Sequence, residues 1–188
     1  EACGFIHQSK DVKLENIKFH FLGNFGIVGQ YSENLTYEKL YCAPEWGSGR
    51  TCAGFADFVQ MSGCKGKIRI LDSYFEGAHD DPINIHGTHL KVMEYVSDRQ
   101  VKVRFMHGQS YGFEAFYKGD EVEFVDAHSL RCLQPACVKA VERIGDYEIL
   151  LTLDRAVNDN VKTAENVSVE NVTWTPEVEI RNNYVSLI

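Results

Sequence analysis

The stretch Val12–Phe19, "VKLENIKF", decides how the fold is read, because the chain returns to its shape four more times. The phrase recurs as "LTYEKLYC" from Leu35, "IRILDSYF" from Ile68, "VSVENVTW" from Val167 and "VEIRNNYV" from Val178. Each version has two apolar residues at alternate positions, then Glu, Asp, Asn, Lys or Arg, and often an aromatic. A period of two is the signature of a strand, and no segment carries a convincing helical stripe. Short strands that end in Asn, Asp or Gly and recur after irregular gaps predict an all-β chain wound as a parallel β-helix, a stack of coiled rungs. Val12 to Leu35 is 23 residues, one rung, and Val167 to Val178 is 11, which suits two strands of one rung. Leu35 to Ile68 is 33 residues, so a loop containing "APEWGSGRTCAG" has to bulge out there. A β-sandwich is the rival architecture. The likeness of the five phrases to one another argues against it, since a sandwich does not require it.

Between Leu90 and Val161 other strands take over: "HLKVMEYV", "QVKVRFMH", "DEVEFVDA", "CVKAVERI" and "YEILLTLD", with turn signals at Lys118-Gly119-Asp120 and Gly145-Asp146. This pattern predicts a compact antiparallel sheet or small barrel inserted between rungs. The expected divisions are rungs over 1–89, the insert over 90–161 and a return to rungs over 162–188. The rung phrases run almost to both ends without caps, so the chain reads as a slice of something longer. Exposed rung edges invite pairing with another copy, and self-association is expected.

The 188 residues bound one domain, or one domain carrying an insert, and 44% hydrophobic content supplies a core. With 27 acids against 19 bases the net charge is −8, which argues against nucleic acid and anionic membrane as main partners and suits a neutral ligand such as a sugar. No apolar run approaches the roughly 20 residues of a membrane span, and no signal peptide stands at Glu1. None of the six cysteines forms Cys-x-x-Cys, so a structural zinc site is not expected. Buried free thiols are the plain reading; a Cys42–Cys52 or Cys52–Cys64 disulfide bracing the intervening loop is the alternative. Asn-x-Ser/Thr sequons begin at Asn34, Asn166 and Asn171 and matter only if the source glycosylates.

The chemistry concentrates in "YFEGAHDDPINIHGTHLKV", Tyr74–Val92. Side chains alternate along a strand, so Ile83 and Ile85 share one face while Asp80, Pro82, Asn84 and His86 share the other. With the isoleucines inside the rung, Asp80, Asn84 and His86 stand on the outer surface. Asp81 then points inward, where an unpaired carboxylate is costly, unless a bend before Pro82 turns it out. Two carboxylates a few ångströms apart raise one pKa or share a water or cation, an acid/base device. Two alternatives stay open: a rung corner held by side-chain-to-backbone bonds, and calcium between the carboxylates. Asp57, in "GFADFVQMSG", lies 23 residues before Asp80, about one rung. Residues one rung apart stack at about one inter-strand spacing, ~4.8 Å, so a third carboxylate is expected to overlook the pair. A turn aspartate is the plainer reading. Trp46 and Tyr41 flank this side as candidate sugar-stacking rings, though a buried Trp is the commoner role.

Here the sequence resembles glycoside hydrolase family 110, the exo-α-1,3-galactosidases. The resemblance rests on "FEGAHDDPINIHGTHLKV", "GFADFVQMSG", "FYKGDEVEFVDAHSL" in the insert and "NVTWTPEVEIRNNYV" near the end, so most of the chain is covered. It implies a right-handed parallel β-helix interrupted by small β-barrel inserts. It also implies hydrolysis of terminal α-linked galactose with inversion, by Asp57, Asp80 and Asp81 as the essential acids and without a cofactor. Asn84 and His86 match the motif as substrate-binding residues, with Trp46 beside them. The division of labour expected is Asp80 and Asp81 jointly on the attacking water and Asp57 on proton donation or sugar binding. The partner implied is a galactose-terminated oligosaccharide or glycoconjugate, met outside the cell or in the periplasm by the full-length parent. A non-catalytic carbohydrate-binding or structural β-helix piece is the competing reading.

Overall fold

In the computed structural model, which describes residues 2–108 and 110–186, nearly everything regular is strand. The chain divides into two compact units, Glu1–His86 with Trp174–Ile188, and Gly87–Thr173.

The first unit is made of short strands visited in rotation. Its first ten are β1 (Ala2–His7), β2 (Lys10–Glu15), β3 (Lys18–Phe19), β4 (Phe25–Gln30), β5 (Glu33–Glu38), β6 (Tyr41–Cys42), β7 (Val59–Ser62), β8 (Lys65–Leu71), β9 (Tyr74–Glu76) and β10 (Ile83–His86). The second unit supplies β11 (His89–Ser97), β12 (Gln100–Arg104), β13 (Glu121–Asp126), β14 (Cys132–Arg143), β15 (Glu148–Leu153), the short helix α1 (Asp159–Lys162) and β16 (Val167–Asn171). The chain then re-enters the first unit as β17 (Glu177–Arg181) and β18 (Tyr184–Ser186).

Three four-stranded sheets result, ordered β1-β4-β7-β10, β17-β8-β5-β2 and β18-β9-β6-β3, and every pairing within them is parallel. Four of the five recurring phrases stand in one register, Val12↔Leu35↔Ile68↔Val178. In the two middle phrases the apolar positions point into the core, where Leu35, Tyr37, Ile68 and Ile70 are fully buried; Val12 and Leu14 are partly buried, and Val178 and Ile180 are exposed. The fifth residue of each of these phrases turns the chain through the left-handed region: Asn16, Lys39, Asp72 and Asn182 have φ of 56°, 55°, 49° and 56°. The amide N–H of Asn16, Lys39 and Asp72 donates to a strand carbonyl of the neighbouring circuit, on Glu38, Leu71 and Arg181. A second set of left-handed corners, Asp11, Asn34 and Gly66, is joined by side chains: Asn34 donates to the Asp11 carboxylate (2.8 Å) and accepts from the Lys67 N–H (3.0 Å). At Gly66 (φ 68°) a Cβ would run into the Asn34 amide, so the corner needs both the conformation and the space. The exposed face of the second sheet carries alternating charges, among them Lys10–Glu33–Lys65 and Lys67–Glu179–Arg181. The third sheet stacks Tyr41, Tyr74 and Tyr184 at 5.1 and 4.7 Å.

The second unit is a closed antiparallel barrel, β11-β12-β15-β14-β13-β16, with β16 pairing back onto β11. Its core includes Val101, Phe124, Val138, Leu151 and Val169. Several buried polar groups there are bonded. Asn171 donates to the Ala115 carbonyl (2.9 Å) and the Asp120 carboxylate (2.7 Å), and Gln134 holds the Asn158 N–H and the Ala156 carbonyl.

Two expectations need correction. The phrase "VSVENVTW" is not a rung strand: β16 closes the barrel, antiparallel to β11 and β13. The insert accordingly runs over 87–173 rather than 90–161, and the return begins at Trp174 rather than 162. The cause is that alternation specifies a strand and its faces, while the open edges of β11 and β13 supply the partners. No disulfide braces the loop, since all six cysteines are free; Cys42 and Cys64 are buried in the three-sheet core, and burial pushes the Cys42 thiol up to about 12. Of the three sequons, Asn171 is fully buried in the barrel and out of reach in the folded chain.

Candidate active site

The corner that leads from the third sheet into the first takes five residues in one circuit, sixteen in the next and six in the one after. Five residues, 20–24, separate β3 from β4, whereas 43–58 and 77–82 precede β7 and β10. The last two crossings carry the acids. Extending the β7–β10 register (Val59↔Ile83) back by two residues sets Asp57 opposite Asp81, not Asp80. The Phe58 N–H donates to the Asp81 carbonyl (3.1 Å) and the Gly26 N–H to the Asp57 carbonyl (2.8 Å), so the ladder persists to the acids.

Asp57 is the buried member, 4% exposed, and Asp80 and Asp81 are exposed. One oxygen of each of the three carboxylates lies within 4.8 Å of the others. Both Asp57 oxygens are held: Oδ1 accepts the Asp81 N–H (3.3 Å) and Oδ2 accepts the Asn84 Nδ2 (3.1 Å). The Asp57 carboxyl sits above its ordinary value, first because burial penalises the charge. The Asn84 bond pulls it back down, and the Asp80 charge pushes it up. This settles which acid is withdrawn from water. The bend before Pro82 turns Asp81 outward, and Asp57 takes the inner place, with hydrogen bonds to offset the burial.

Asn84 stands on β10 beside Gln60 of β7, and His86 beside Ser62. The Gln60 Nε2 lies 3.5 Å from the His86 Nε2, so Gln60 belongs to the same outward face. Alternation alone could have found it, since Gln60 repeats the Asn84 position one circuit earlier. Trp46 is fully exposed on the crossing before Asp57, and among the described residues no ring contact joins it to this corner. The aromatic groups that do stand here are Phe55, 64% exposed, and His79, with ring centroids 6.2 Å apart. The signal for Phe55 was its place two residues before Asp57.

Three carboxylate oxygens at this spacing can share a proton, bind a water, accept sugar hydroxyls, or span a hard cation bonded at about 2.3–2.6 Å. The trio is tighter than the ~6.5–9.5 Å that separates acid from base across a bond in inverting glycosidases.

Residues 100–167 match the family described as GLAA-B beta-barrel domain II, which is the barrel just described. The whole chain is 54% identical to Alpha-1,3-galactosidase A of Bacteroides thetaiotaomicron, over 100% of this chain and 33% of that protein. Over its whole length this chain is similar to proteins named alpha-1,3-galactosidase. Similarity extends to Alpha-1,3-galactosidase A of Streptomyces avermitilis (43% identical, 97% of this chain and 31% of that protein) and Alpha-1,3-galactosidase B of Phocaeicola vulgatus (36%, 96% and 32%). The chain thus spans about a third of the length of the curated relatives it matches. The family resemblance carried by the acidic segment and the barrel is borne out. Among the described residues no helix is long and apolar enough to cross a membrane.

Proposed function

We propose that this chain carries the carboxylate side of an exo-α-1,3-galactosidase that cleaves terminal α-linked galactose with inversion. The three parallel sheets are read as the faces of a right-handed parallel β-helix, with the barrel inserted at a corner of its fourth circuit. The observation that carries the proposal is the trio itself, one buried carboxyl pinned by Asn84 and the Asp81 N–H, two exposed carboxylates beside it. In this reading Asp80 and Asp81 take the proton of the attacking water and bind sugar hydroxyls. Asp57 orders the Asp81 backbone and holds the proton that three crowded carboxylates share. The acid that protonates the leaving oxygen then comes from outside the trio, at the distance an inverting pair requires. Asn84 and His86 orient the sugar. The names of the relatives support the choice of an α-1,3-galactoside as substrate. A location outside the cell or in the periplasm, where such glycans are met, and self-association through open strand edges belong to the same proposal.

The test is turnover of terminal α-1,3-galactosides by the complete protein, with the anomeric proton of released galactose followed by NMR. Initial release of β-galactose is expected. Initial release of α-galactose would point to the second reading that the trio's short spacing favours, a retaining acid–nucleophile pair about 5–5.5 Å apart. A protein that binds galactosides without turning them over would be a carbohydrate-binding module instead.

A further inference from the structure

The same corner carries two rings that the acid chemistry does not use. Phe55 lies two residues before Asp57, and His79 immediately precedes Asp80. A parallel bridge between Gly54 and Ala78 sets the two rings at equivalent positions of adjacent circuits. Their centroids are 6.2 Å apart and their planes tilted by 52°. The backbone beneath is pinned: the Phe55 N–H donates to the Leu22 carbonyl (3.2 Å) and the His79 N–H to the Gly54 carbonyl (3.1 Å). Gly54 packs so closely on the Phe58 ring that a Cβ there would clash with it. Phe55 nevertheless remains 64% exposed. A large ring on a pinned backbone, left in water on the crossings that carry the carboxylate trio, is a preorganised surface. Phe55 and His79 each lie within two residues of an acid of the trio, so a sugar on Phe55 has the carboxylates as neighbours.

We infer that Phe55, flanked by His79, is the stacking platform for the terminal galactose, and that it selects galactose over glucose. The inference rests on the galactosidase reading of the trio. Its chemistry follows from the sugar. The axial O4 of galactose leaves the opposite ring face as a continuous patch of C–H bonds at C3, C4 and C5, whose positive edges suit the negative face of an aromatic ring. Glucose, with O4 equatorial, lacks that arrangement at C4. Carboxylates accept the hydroxyls turned away from the ring, and the chain's charge of −8 favours a neutral guest over an anionic one.

The experiment compares Phe55→Ala, Phe55→Tyr and Asp57→Asn with the wild type in the complete protein, using a terminal α-galactoside, its α-glucoside counterpart and free galactose. Because Phe55 is exposed, its truncation leaves the core intact, and thermal melting checks this. Phe55→Ala is expected to raise KM for the galactoside about tenfold, to change kcat less, and to erode the galactoside-over-glucoside preference by a similar factor. Phe55→Tyr is expected to stay near wild type. Saturation-transfer NMR on the wild type should place the strongest transfer on galactose H3, H4 and H5 and lose it in Phe55→Ala. Unchanged KM and unchanged transfer in a folded Phe55→Ala protein overturn the platform, even if Asp57→Asn abolishes turnover. Full turnover in Asp57→Asn overturns the galactosidase reading of the trio, and the NMR arm still decides the platform.

Discussion

Val12–Asn16 and Val167–Asn171 read "VKLEN" and "VSVEN", nearly one pattern, yet they sit in different kinds of sheet. In the first, Val12 pairs in parallel with Leu35, and Asn16 turns left-handed with its N–H on the Glu38 carbonyl. In the second, β16 runs antiparallel between β11 and β13, and Asn171 is fully buried, its amide bonded to Ala115 and Asp120. The difference teaches that a short alternating pattern specifies a strand and its two faces, not its partner. A left-handed Asn and a buried, bonded Asn are the same letter under different constraints.

That contrast can be broken at several levels. The largest effect is expected for chemistry. If catalysis belongs to the three-sheet corner, Asp81→Asn in the complete protein lowers kcat by about 10²–10⁴, the usual worth of a general base. Asn171→Ala, in the barrel, should instead lower stability while the folded fraction keeps its kcat; steady-state kinetics beside thermal melts separate the two.

Next in size are the two cores. Ile70→Ala and Leu151→Ala each remove a fully buried side chain and should cost about 2–5 kcal/mol. Both tryptophans, Trp46 and Trp174, lie in the three-sheet unit, and Trp174 packs 4.9 Å from Tyr31, so tryptophan fluorescence in urea follows that unit. Ile70→Ala should move the fluorescence midpoint. If Leu151→Ala moves it equally, the units unfold as one and the contrast is structural without being energetic.

The asparagines come third. Asn16→Gly should change the urea midpoint little, since glycine adopts the left-handed corner readily. Asn171→Gly leaves the Asp120 carboxylate and the Ala115 carbonyl short of a donor and should cost about 1–3 kcal/mol. Equal effects at the two sites would mean that the corner conformation is not what Asn16 contributes.

The smallest effect is a pair of opposite pH slopes. Burial raises the Asp57 carboxyl above its ordinary value, so the folded chain holds that proton more tightly than the unfolded one. Stability from this group is present at low pH and declines as pH rises from the ordinary carboxylate value, 3.8, through the raised one. Asp154 in the barrel has the opposite sign. The Arg155 guanidinium and the Cys137 N–H hold its carboxyl far below the usual range, so its contribution is present above 3.8 and is lost as pH falls through the lowered value. Asp57→Asn should therefore steepen the net acid loss of stability, and Asp154→Asn should flatten it, in urea midpoints taken between pH 2 and pH 6.

Much of the first unit was legible because its repeats carry their own register. Spacings of 23 and 33 residues between phrases correspond to successive paired strands, and in the two middle phrases the aromatic and aliphatic inward positions are the buried ones. The acids were legible as a group for the same reason, since Asp57 and the Asp80–Asp81 pair lie on equivalent crossings. The barrel was legible as an antiparallel insert from its hairpin turns. Its last strand was not, because nothing within Val167–Asn171 says which open edges it will meet.

By itself, then, the sequence determined the strands, their inward faces and the neighbourhood of three carboxylates, since side-chain alternation and repeat spacing are properties of the local chain. Tertiary structure alone decided that β16 closes the barrel and that Asp57 is the buried acid while Asp81 turns to solvent. Each of those outcomes depends on which groups from distant circuits arrive to pair an edge, accept a hydrogen bond or exclude water, and no single stretch of chain carries that information.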